Sequence, residues 1–248
     1  VTGDILITAG AKVIIQPGTQ ISLTNGSMIT VRGNLCAGDI SCSSTSSGNP
    51  VIQSNANNGS RIQFTWTDPG DSSQFGDCYD GALVSGYSNI DPSCGEGILL
   101  KDSIDVGQTK LNHVSIVNAY GLPAQVSQVN NEFRIASLVL DGASPTLEAL
   151  KFQGINTTSV LALNLATPTF IGGEFVNGDD ESDVAGQGVQ IYGAGTSFTP
   201  VVMNSPVFTG SSKGCGQQDG GRHVLWAEDS YVLIDHPGAA SGDFGLRI

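Results

Sequence analysis

Apolar residues in this chain come in short runs, either alternating with polar ones or wholly apolar, separated by Gly, Asn, Asp, Ser and Pro. Runs of that length and period predict β-strands. A helix needs apolar positions at i, i+3, i+4 and i+7 over several turns, and no segment sustains this without a breaker. The best helical candidate, residues 136–152, contains Gly142 and Ser144-Pro145, which end a helix.

The runs repeat. Ser137-Leu-Val-Leu-Asp-Gly-Ala-Ser-Pro-Thr-Leu-Glu-Ala-Leu-Lys-Phe152 aligns with Val160-Leu-Ala-Leu-Asn-Leu-Ala-Thr-Pro-Thr-Phe-Ile-Gly-Gly-Glu-Phe175. Pro145 meets Pro168, Thr146 meets Thr169 and Phe152 meets Phe175, each at an offset of 23 residues. A looser copy runs from Gly188 to Phe208 after an acidic insertion, and residues 223–234 and 97–117 give further ones. A period in the low twenties with several strands and no helix predicts a solenoid. Each turn lays down three strands that pair in parallel with the next turn and point apolar side chains into a shared axial core. A leucine-rich repeat of this period needs an L-x-x-L-x-L framework that is absent, and a β-sandwich does not predict in-register recurrence. The expectation is one all-β domain over residues 1–248, a right-handed parallel β-helix. It has about eight coils and inserted loops near 36–48, 67–94 and 178–186.

The start of the chain carries a resemblance. Ile5-Leu-Ile-Thr-Ala-Gly-Ala-Lys-Val-Ile-Ile-Gln-Pro-Gly-Thr-Gln-Ile-Ser-Leu23, followed by Ser27-Met-Ile-Thr-Val-Arg-Gly-Asn-Leu35, resembles the opening turns of the secreted pectin-lyase-like superfamily. The shared pattern is strand, Ala-Gly corner, strand, Pro-Gly corner, strand. The resemblance implies an architecture and leaves the activity open, since the superfamily includes lyases, glycosidases, tailspikes, adhesins and structural fibres. Polygalacturonase-like members carry N-T-D, D-D, G-H-G and R-I-K motifs. Here Asn156-Thr-Thr158 puts Thr158 where the first carboxylate belongs, Gly178-Asp-Asp180 follows, and Gly-His-Gly is missing. Half of that motif does not supply the acid and base that glycoside hydrolysis needs. Pectate-lyase-like members use calcium and an arginine base, for which Arg134 and Arg222 are the candidates.

Charge narrows the field. Ten Lys and Arg face 23 Asp and Glu, a net −13, which excludes a nucleic-acid binder because phosphate contacts need a basic footprint. It also sets a repulsive field against polyuronate substrates. No apolar run is long enough for a membrane-spanning helix. Two acidic clusters, Asp68 and Asp71 through Asp77 and Asp80, and Asp179, Asp180, Glu181 and Asp183, offer oxygen ligands of the kind calcium takes. The second is the candidate metal site, against the alternative of solvated loop faces. Trp66 and Trp226, with Tyr79, Tyr87, Tyr120, Tyr192 and Tyr231, stack sugars or fill core and corners.

Of five cysteines, Cys36 with Cys42 and Cys78 with Cys94 each flank a loop, while Cys215 is left over. The spacings are too wide for zinc, so two disulfides and an oxidising compartment are expected. Sequons at Asn25, Asn58 and Asn156 fit an extracellular, glycosylated chain. The chain opens on Val1 with a strand pattern, as in a processed or excised form, and closes on another, and neither end carries a capping helix. Exposed terminal coils favour head-to-tail stacking into a homo-oligomeric filament. The sequence therefore predicts a non-enzymatic, cell-surface structural or adhesive protein, with a surface glycan as a possible partner and a polysaccharide lyase or hydrolase as the alternative.

Overall fold

The computed structural model describes residues 1–38, 51–52, 61–67, 95–101, 109–127, 132–155, 157–176, 188–209, 225–235, 238–241 and 246–247. These form three sheets that the chain visits in turn. The first holds β1 (Ile5–Ile7), β4 (Met28–Val31), β8 (Gly97–Lys101), β12 (Glu132–Asp141), β15 (Thr158–Leu163), β18 (Val189–Tyr192), β21 (Leu225–Glu228) and β24 (Leu246–Arg247). The second holds β2 (Lys12–Ile15), β5 (Asn34–Ala37), β9 (Lys110–Asn112), β13 (Thr146–Glu148), β16 (Thr169–Ile171), β19 (Val201–Asn204) and β22 (Val232–Asp235). The third holds β3 (Gln20–Leu23), β7 (Ile62–Trp66), β10 (Val114–Val117), β14 (Lys151–Gln153), β17 (Glu174–Val176), β20 (Val207–Thr209) and β23 (Gly238–Ser241). Every strand in these three runs pairs in parallel with its equivalent one coil on, so the chain is a parallel β-helix, as the repeat predicts.

In-register pairing stacks like positions. Ile29, Ile98, Leu138, Val160, Val189 and Leu225 form one inward row, and Ala37, Leu111, Leu147, Phe170, Met203 and Ile234 another. All but the half-buried Ile234, which packs against it, belong to a core that runs the length of the coils. Thr146 pairs with Thr169, reproducing the offset of 23.

The corner between the second and third sheets repeats a single device. His113, Ala149, Gly172 and Ser205 adopt positive φ, from 49° to 62°. Their N–H groups donate to the carbonyls of Glu148, Ile171, Asn204 and Asp235 on the next coil, at 2.7–3.0 Å. That ladder explains why only one of the four is a glycine: the coil-to-coil bond holds a conformation that L-residues otherwise resist.

Cys36 lies near the end of strand β5. One feature differs from expectation. The first coil is not bare on every edge, because β6 (Val51–Ile52) pairs with the outer edge of β2, Ile14 facing Val51 and Ile15 facing Ile52. The sequence gives little warning of this, since β6 follows a Ser/Gly-rich stretch.

Candidate functional site

The first sheet differs from the other two. Strands such as β13 and β19 of the second sheet alternate buried and half-buried positions, whereas β15 and β18 are buried at every residue. A parallel strand buried on both faces reads as a continuous apolar run, and Thr158-Ser-Val-Leu-Ala-Leu163 is one. Its inward residues, Val160 and Ala162, join the axial core, while Leu161 and Leu163 belong to a second cluster on the outer face with Leu122, Ala136, Val139 and Tyr192.

That outer cluster exists because of a hairpin. β11 (Leu122–Ser127) pairs antiparallel with the first half of β12, and β12 then continues into the sheet. Pro123 is tolerated because β11 is an edge strand with one paired side. Arg134, in the hairpin half, donates from Nε to the Tyr192 hydroxyl at 3.1 Å, its guanidinium 5.5 Å from the ring centroid. Tyr192 stands in the row of Leu163 and Asp141. Arg134 precedes Asp141 by seven residues, a separation of roughly 23 Å along a straight strand. The contact therefore requires the hairpin to fold back over the outer face, where Ala124 and Val126 pack on the same cluster.

Beside this cover, Leu161, Gln190 and Trp226 align across three coils. Gln190 is 0% exposed, and neither its amide nitrogen nor its amide oxygen has a hydrogen-bond partner among the described residues. A buried amide with both functions open is a place for a small polar guest, an ordered water being the smallest. Trp226, half-buried, donates from Nε1 to Glu228 at 2.7 Å.

The charged groups around this face brace coils. Asp141 accepts from Lys101 at 2.8 Å and from Asn164 at 2.6 Å, linking three successive coils. Burial alone raises the Asp141 carboxyl, but the hydrogen bonds from Asn164 and Lys101 and the Lys101 charge outweigh it and hold it below the ordinary aspartate range. Glu96, buried at the head of β8, accepts from the Gly26 N–H at 2.9 Å and the Tyr120 N–H at 3.3 Å. Lys151 and Glu174 pair at 2.8 Å on the third sheet.

Among the residues singled out from the sequence, Thr158 is buried, its hydroxyl without a hydrogen-bond partner among the described residues, and Thr157 donates to the Tyr120 carbonyl at 2.6 Å. Trp66 is core, its Nε1 donating to the Ser27 carbonyl at 2.7 Å. Asn25 is half-buried, its sequon partner Ser27 buried and bonded to Thr24. Cys36 is buried beside Ile14 and is disulfide-bonded. Asp68, Asp71, Tyr79, Tyr87, the cluster of Asp179, Asp180, Glu181 and Asp183, Cys42, Cys78, Cys94, Cys215, Asn58, Asn156, Arg222 and His223 lie outside the described residues. Among the described residues no three His, Cys, Asp or Glu side chains gather as a metal site, and no helix is long and apolar enough to cross a membrane.

The hairpin is what sequence reasoning missed. Its signal was the alternation of Leu122-Pro-Ala-Gln-Val126 and Phe133-Arg-Ile135 around Asn130-Asn131, hidden by the longer β12 run. Comparison of the chain with protein-family models, curated proteins and solved structures finds no match.

Proposed function

We propose that the chain is a non-enzymatic extracellular structural or adhesive protein, a rigid β-helical rod that presents its surface to a partner. One observation carries the reading: the charged side chains at the best-built face are spent on holding coils together. Asp141, Lys101 and Asn164 tie three coils, Glu96 clamps two backbone amides, and Arg134 pins the hairpin to Tyr192. A general acid or base needs a group free to exchange protons with a substrate, and a braced group serves rigidity instead. The disulfide at Cys36 supports an oxidising, extracellular setting.

The test is incubation of the full chain with polygalacturonate and with neutral glycans, with and without calcium, following new reducing ends and unsaturated uronate. No product above background is expected. Calcium-dependent product would replace this reading with the lyase alternative.

A further inference from the structure

Large apolar side chains are rarely left wholly exposed on an ordered segment unless something covers them. Phe198 is 94% exposed, yet its turn is tightly held. Thr196 N–H donates to the Thr199 carbonyl at 2.9 Å, the Phe198 and Thr199 N–H groups donate to Thr196 Oγ1 at 3.3 and 3.0 Å, and the two threonine hydroxyls meet at 2.7 Å. The ring is thus displayed at little further entropic cost on binding.

Phe198 is not alone. It lies on the corner between the first and second sheets, where Leu165 is 67% exposed one coil earlier and Tyr231 54% exposed one coil later. Backbone bonds stack the residues that flank the Phe198 turn on its neighbours: Leu165 N–H to the Gly193 carbonyl at 2.8 Å, Tyr231 N–H to the Ala194 carbonyl at 3.0 Å, and Val201 N–H to the Tyr231 carbonyl at 2.8 Å. Leu233, 54% exposed, extends the edge onto the second sheet beside Val202. With coils about 4.8 Å apart, three successive coils offer a row of exposed apolar side chains along one corner, an apolar ridge.

Charge indicates what fits it. No Lys or Arg occurs between Lys151 and Lys213, and the last of these coils exposes Glu228, Asp229 and Asp235. A second copy of this chain, at net −13, would bring acidic surface against acidic surface. We propose that the ridge of Leu165, Phe198, Tyr231 and Leu233 is a docking edge for a different protein, one with an apolar cleft rimmed by Lys and Arg. Aromatic anchors supply the affinity, and the acidic surround selects the partner and speeds encounter. The inference rests on the reading of the chain as an adhesive rod.

The test pans a phage-displayed library of short random peptides on the immobilised full chain. Binding of the selected peptides to wild type and to the F198S/Y231S double variant is then measured at low and raised salt. Both residues are exposed, so the variant keeps the fold. The expected peptides flank Leu, Phe or Trp with Lys or Arg, bind the variant about tenfold or more weakly, and weaken as salt rises. Unchanged binding to the variant, or selection of uncharged or acidic peptides, overturns the docking edge while leaving the adhesive reading standing. A Phe198-dependent dimer in sedimentation overturns it in favour of self-association. No enrichment overturns the docking edge, and glycan cleavage as well overturns the adhesive reading itself.

Discussion

Phe152 and Phe175 stack one coil apart, ring centroids 6.1 Å from each other, at the separation of 23 residues that the sequence repeats. Phe175 also meets Phe208 at 5.8 Å and Phe170 edge-on at 5.6 Å, so one ring joins three coils and two sheets. Truncating it leaves a cavity that the flanking coils cannot close without breaking register. Phe175→Ala is expected to cost about 3–5 kcal/mol, read as a lower urea midpoint. In a solenoid each coil contacts its neighbours alone, so hydrogen exchange is expected to rise in β14, β17 and β20 and to stay low in β4 and β8. A uniform rise across all coils would contradict that local picture.

Asp141 makes stability depend on pH. Its folded-state pKa lies below the unfolded value, which is about 3.9. The contribution is therefore fully present above that value and is lost as pH falls through the folded one. Asp141→Asn is expected to destabilise by about 1 kcal/mol at pH 7, with the difference from wild type shrinking at acid pH in thermal melts. An equal gap at both pH values would show that the carboxylate charge contributes nothing to the brace.

The axial repeat was readable because inward rows need apolar residues at fixed spacing, as Leu147 over Phe170 and Phe152 over Phe175 attest. The second layer outside the first sheet was not. Leu161 and Leu163 read as ordinary strand residues, and only the fold-back of Arg134 onto Tyr192 reveals why both faces are apolar. Bracing was equally hidden, because Glu96 reaches Gly26 across 70 residues. The pairing of β6 with β2 was hidden because Val51-Ile52 follows a polar stretch that has no period to read.

The Gln190 amide has no hydrogen-bond partner among the described residues. Burying an amide with neither function paired is unfavourable by about 1–3 kcal/mol, and its neighbours Leu161 and Trp226 are apolar. Gln190→Met keeps the volume and removes the polar atoms. The variant is expected to be more stable by about that amount, seen as a raised denaturation midpoint. A less stable variant would mean that the amide is satisfied in solution by a bound water or other guest.

Leu165 sets stability against display. It holds φ at 62° after Asn164 at 54°, and it is two-thirds exposed. The left-handed conformation costs a side chain with a Cβ about 1–2 kcal/mol, while glycine loses roughly half that in extra unfolded-state freedom. Leu165→Gly is therefore expected to stabilise by about 0.5–1 kcal/mol, whereas Leu165→Ala, which retains the Cβ, should change little. Calorimetry of the two variants decides it, and a glycine variant less stable than the alanine one would mean the turn is unstrained. The same Leu165→Gly change removes the first residue of the apolar ridge. Gained stability with weakened peptide binding is the pattern left when a protein retains a strained, exposed side chain for what it contacts.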